Sequence, residues 1–147
     1  MFSSKKFFSA DQVKQIEAAI KSAEENTSGE IRVYMENNCK GDAMECALSV
    51  FHKLGMHKTL LRNGVLFYVA VKGRKFAVAG DEGIHKNVPE GFWDLVRDNM
   101  LEKFKQEKFT ESLCEGIAMA GTELKKYFPL AAADKNELSN EVTFGAK

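Results

Sequence analysis

Apolar positions along the chain switch between a helical period and an alternating one, and the switches mark the elements. Val13, Ile16, Ile20 and Ala23 fall at helical spacing behind Ser9-Ala10-Asp11-Gln12, which has the form of a capping box. With Phe8 and Val13 as the hydrophobic staple across that cap, the pattern predicts a helix from Ala10 to Glu25, ended at Asn26. From Gly29 to Glu36 the pattern alternates, with Ile31, Val33 and Met35 against Arg32, Tyr34 and Glu36, as in a strand with one more polar face. Asp42 then caps a second helix with an Ala47, Val50, Phe51 and Leu54 stripe, closed by Gly55.

Gly64 to Val71 is nearly continuously apolar, as expected of a central strand covered on both faces. Lys72-Gly73-Arg74 turns the chain and Lys75 to Gly80 returns, which predicts an antiparallel hairpin. After Asp81-Glu82-Gly83-Ile84 an irregular stretch is expected, containing Pro89 and Gly91. A third helix carries Phe92, Val96, Met100 and Phe104. A fourth, capped by Thr110, buries Leu113, Ile117, Ala120, Leu124 and Phe128 before Pro129 stops it. These elements define one domain over residues 8–129. Residues 130–147 read as a flexible tail, within which Glu141-Val142-Thr143-Phe144 either adds a strand or stays disordered. The first two strands, joined through a helix, should be parallel by a right-handed crossover. The expected fold class is α/β, a three-layer α/β/α sandwich with a small mixed sheet flanked by about four helices.

Composition narrows the function classes. The 147 residues are 44% hydrophobic and 29% charged, with a net charge of +0, so no global field draws nucleic acid or an anionic membrane. No apolar run approaches the ~20 residues of a membrane helix, which argues against membrane insertion. The opening Met1-Phe2-Ser3-Ser4-Lys5-Lys6 has no apolar core of an export signal, so the expected location is cytoplasmic. Cys39, Cys46 and Cys114 are odd in number and lack zinc-knuckle spacing. They read as small buried hydrophobes in a reducing compartment.

The topology also brings polar segments together. The first strand begins after Thr27-Ser28-Gly29-Glu30, the second after Arg62-Asn63-Gly64, and the third ends at Gly80-Asp81-Glu82, so all three should meet at one edge of the sheet. Glu30, Asp81, Glu82 and Asn63 offer oxygen ligands of the kind that calcium or magnesium prefers. Asp94 and Asp98, one turn apart, could add carboxylates from the side. Arg62 could clamp a phosphate, with Thr27, Ser28 and His85 beside it as the remaining substrate contacts. Each residue also has a plainer reading: Asp81 as a turn former, Glu30 on a solvated strand face, Asp94, Asp98 and Glu102 on a solvated helix face. His52 and His57 read as surface residues. No phosphate-binding glycine loop or nucleophile elbow is present.

Ala23-Glu24-Glu25-Asn26-Thr27-Ser28-Gly29-Glu30-Ile31-Arg32-Val33 resembles the opening of the TPM domain. Arg62-Asn63-Gly64-Val65-Leu66, Gly80-Asp81-Glu82-Gly83-Ile84-His85, Trp93, Phe104, Phe109 and Phe128-Pro129 agree with it in order and spacing. The resemblance spans Phe8 to Pro129. It implies an α/β/α sandwich, a divalent cation held by acidic residues, best matched by Asp81 and Glu30, and the phosphatase activity claimed for plant members. Two readings follow: a module that binds calcium or magnesium, for stability or to recognise a protein partner, and a metal-assisted phosphatase acting on phosphate monoesters.

Overall fold

The computed structural model describes residues 7–130 and 140–145. Helix α1 (Ala10–Glu24) starts from the expected capping box: the Gln12 amide donates to Ser9 Oγ at 3.1 Å and the Ser9 amide to Gln12 Oε1 at 2.9 Å. Two of the four orphan donors of the first turn are thereby satisfied. Strand β1 (Glu30–Glu36) is followed by α2 (Ala43–Lys53), whose first amides at Met44 and Glu45 are capped by the Asp42 carboxylate. Gly55, at φ 71°, turns the chain into a 3-10 turn at Met56–Lys58. The hairpin of β2 (Gly64–Ala70) and β3 (Lys75–Gly80) follows, then α3 (Glu82–Asn87), α4 (Glu90–Lys105), α5 (Phe109–Tyr127) and β4 (Thr143–Phe144).

The sheet order is β3-β2-β1-β4. Strands β1 and β2 are parallel, β3 is antiparallel to β2, and β4 is parallel to β1. Side chains of the central strands point alternately into two cores. Ile31, Val33 and Phe67 join Ile16, Ile20, Met100 and Ile117 under α1, α4 and α5. Tyr34, Leu66 and Tyr68 join Ala47, Val50 and Phe51 under α2. Each fully buried large side chain contributes about 1.5–3 kcal/mol, so both layers matter to the fold. The expected α/β/α sandwich with a mixed sheet is the fold observed.

Three details differ from expectation, and one alternative left open, the strand at Thr143–Phe144, is decided. The stretch after Asp81 is not irregular: Asp81 caps the short helix α3, too brief to show a period. Helix α5 begins at Phe109, with Lys108 rather than Thr110 at the cap position. Thr143–Phe144, within the segment read as a tail, pair with Tyr34 and Met35. They are anchored by Val142, whose amide donates to Glu17 Oε2 at 3.0 Å, and by Arg32, which donates to Thr143 Oγ1; residues 131–139 of that segment lie outside the described residues. Lastly, Cys39 and Cys46 are not free thiols. They form a disulfide that ties the loop after β1 to the first turn of α2, so the argument for a reducing compartment falls. Cys114 is free and half-buried, and burial raises its thiol pKa. No helix among the described residues is long and apolar enough to cross a membrane.

Candidate functional site at the sheet edge

The register brings the three polar segments together as the topology predicts. Glu30 pairs with Gly64, and Val65 with Gly80. The Glu30 amide donates to Asn63 O at 3.3 Å and the Asp81 amide to Gly64 O at 3.0 Å, so the segments are stitched across one edge.

Asp81 is buried at 6% exposure and is more than a turn former. Its carboxylate accepts both Arg62 Nε at 2.7 Å and Arg62 Nη2 at 2.8 Å, and Oδ1 also accepts the Glu82 amide at 2.8 Å. Such a bidentate, charge-assisted pair fixes orientation as well as charge. The Arg62 backbone is held in turn. It adopts φ 51°, a left-handed conformation rare for a residue with a Cβ, and its carbonyl accepts the Gly83 amide at 2.9 Å. A Cβ at Gly83 would stand 2.4 Å from Leu61 O and 2.5 Å from Arg62 O, so only glycine allows α3 to approach this closely.

Glu30 is 2% exposed, which corrects the reading of a solvated strand face. Beside it stands Glu24, a residue the sequence reading did not single out. Its Oε2 accepts the Ile31 amide at 2.7 Å, on the β4 side of β1 but below the Tyr34–Met35 stretch that the short strand β4 covers. Burial pushes the Glu24 pKa from 4.5 up to about 7, the Ile31 hydrogen bond opposes that rise, and the Glu30 charge adds to it. A signal for Glu24 was present in the chain: it continues the Ile16–Ile20 stripe by one more step of four.

The other expected residues divide. Asn63 is buried and donates to Ser28 Oγ at 3.4 Å, at the same edge. Glu82 is exposed, 3.8 Å from Arg62 Nη1. Thr27 is buried and structural: its hydroxyl donates to Phe128 O and accepts the Gly29 amide at 3.0 Å. The Ser28 amide donates to the same Phe128 carbonyl at 2.9 Å. His85 is exposed and lines a groove beside β3, as does Asp94. Asp94 and Asp98 are exposed ion-pair partners of Arg97, which fits the solvated helix face. His52 is exposed and its ring lies 4.8 Å from that of His57.

The donor chemistry of Glu30, Asp81, Glu82 and Asn63 fits a hard divalent cation, being all oxygen. A ready-made cage is not present: among the described residues no three Asp, Glu, His or Cys side chains gather around one point. Both oxygens of Asp81 are engaged by Arg62.

Comparison with known proteins places the fold in a family. The structure is similar to the NMR structure of BA42 protein from the psychrophilic bacterium Bizionia argentinensis, with a TM-score of 0.89 and 45% identity over 96% of this chain and 97% of that one. It shares its fold with the N-terminal domain of a protein from P. gingivalis (TM-score 0.67, 17% identity, 84% and 80% covered). The N-terminal domain of cg2496 protein from Corynebacterium glutamicum is similar at a TM-score of 0.64, with 16% identity and 79% and 73% covered. No curated protein matches the chain. The family model described as the TPM domain matches residues 1–123, and the chain belongs to the TPM-domain family.

Proposed function

We propose that this TPM domain binds one divalent cation, Ca2+ or Mg2+, at the edge made by the starts of β1 and β2 and the end of β3. The observation that carries the reading is the Glu24–Glu30 pair. Two acidic side chains share a poorly solvated position, and the Glu24 pKa is driven to about 7 by burial and by Glu30. A cation offsets both the desolvation and the repulsion of such a pair. Glu30 would hold it beside Glu24, with Glu82 and Asn63 as further oxygen ligands and Asp81 joining as Arg62 releases it.

Phosphate-monoester hydrolysis has no comparable support. The Thr27 hydroxyl is engaged by Phe128 O, and Arg62 is paired with Asp81 in the cation-free protein.

Titration of the chelator-treated chain with Ca2+ and with Mg2+, followed by amide NMR, tests the proposal. Saturable binding is expected, with shifts concentrated at residues 24–31, 62–64 and 80–85, and affinity falling at least tenfold in Glu30→Gln. Absence of saturation at millimolar ion, or shifts scattered over the surface, sinks it.

A further inference from the structure

We infer that the outer edge of β3 is a docking site for an extended peptide carrying basic side chains. The hydrogen-bond phase of the hairpin is the starting point. The Asp81 amide donates to Gly64 O, and residues of an antiparallel pair alternate between bonding across the ladder and facing away from it. Asp81, Ala79, Ala77 and Lys75 therefore bond to β2, while Phe76, Val78 and Gly80 turn their N–H and C=O groups outward. No described residue hydrogen-bonds those outward groups.

Proteins usually blunt such an edge with a proline, a charge, a bulge or a covering segment. Phe76-Ala77-Val78-Ala79-Gly80 carries neither proline nor charge. A groove of about 580 Å³ runs beside it, between the start of α2, the helix α3 and the first turns of α4. Phe76, Val78, Ile84 and Trp93 supply its apolar lining, and the buried Trp93 indole N–H finds no acceptor among the described residues. At the 3.2–3.4 Å rise of a strand, the stretch from Phe76 to Gly80 spans roughly 13 Å, room for about five residues of a partner.

The charges choose the partner. Asp42, Glu90 and Asp94 line the groove against one arginine, Arg97, and His85; Asp42 also caps the first amides of α2, and the Arg97 guanidinium lies 3.3 Å from Asp94 and 3.8 Å from Asp98. At the start of β3 the Arg74 charge is offset by Glu107 at 2.9 Å, and Lys75 keeps its charge but turns Nζ to Gly41 O at 2.8 Å. On a chain of net charge +0, this groove is a local acidic field. A strand added to β3 sets alternate side chains on the α4 side, near Trp93, Glu90 and Asp94, and on the α2 side, near Asp42 and Met44. Backbone bonds hold any extended segment; the carboxylates select a basic one.

The probe is a capped seven-residue peptide alternating valine and lysine, titrated into the full chain and followed by amide and indole NMR. Saturable shifts are expected at Phe76, Val78 and Gly80 and at the Trp93 indole. Replacing the lysines of the peptide by glutamate should weaken binding at least tenfold. N-methylating one alternate set of peptide residues should do the same, and N-methylating the other set should not, which keeps the test independent of any protein variant. Glu90→Lys, an exposed change, should weaken the lysine peptide at least threefold. Equal binding of the glutamate peptide, equal effects of the two N-methylated sets, or shifts mapping elsewhere overturn the inference. It is also overturned if the same amides shift with protein concentration alone, which makes a second copy the occupant. Shifts there on removal of residues 1–6, without peptide, would assign the edge to the chain's own N-terminus.

Discussion

Glu24 shows how one side chain can tie stability to pH. Its carboxyl titrates at about 7 in the folded protein against an ordinary value of 4.5, so between those values the folded state keeps a proton that the unfolded state has lost. Stability from this group is therefore present at low pH and declines as pH rises from 4.5 through about 7. The gap corresponds to on the order of 3 kcal/mol, which partial exposure reduces to roughly 2. In the cation-free protein, Glu24→Gln is expected to remove that decline, seen as a flatter unfolding free energy between pH 5 and 8 by urea titration. An unchanged slope would assign the pH dependence to another group. Glu107 illustrates a different residue-scale compromise. It takes the left-handed position after α4 at φ 59°, where the Lys108 amide bonds Lys103 O and its own amide bonds Phe104 O, a closing motif that usually takes glycine. Its carboxylate compensates in part by pairing with Arg74.

Among the elements, α3 depends most on a single contact. Six residues cannot stabilise a helix alone, and this one is held by the Asp81 cap and by the approach of Gly83 to the 61–62 backbone. Gly83→Ala forces that backbone aside and breaks the geometry by which Arg62 reaches Asp81. It is expected to cost roughly 1–3 kcal/mol and to shift amides at 61–64 and 81–85. If the alanine variant keeps wild-type stability and shifts, the close packing does not position Arg62. None of this was legible locally, because Gly-Asp-Glu-Gly is as much a turn as a helix start and nothing nearby in sequence names Leu61 as the neighbour. The helices that could be read, α1, α2, α4 and α5, are those long enough for their apolar stripes to repeat at least twice.

At the scale of the molecule, the sheet has two unlike edges. β4 covers part of the β1 edge, with Val142 at 8% exposure in the larger core, while among the described residues no strand pairs with the outer edge of β3. Removing residues 140–147 uncovers that core and deprives Arg32 of Thr143. It should lower stability by about 2–3 kcal/mol, measured as a drop in the urea midpoint with the rest of the amide spectrum retained. A truncated chain with an unchanged midpoint would reduce β4 to a passive addition.

By itself the sequence determined the periods, and with them the helices, the hairpin, the parallel crossover and the meeting of three polar loops at one edge. Apolar spacing is a local property, and short right-handed connections leave few ways to assemble it. Only the tertiary structure decided what the polar groups do once assembled. It set the half-buried Glu24 beside the buried Glu30, committed Asp81 to Arg62, spent the Thr27 hydroxyl on a carbonyl about a hundred residues away, and joined Cys39 to Cys46. Charge compensation, hydrogen-bond partners and disulfide pairing depend on distances between segments far apart in the chain, and no period or spacing encodes them.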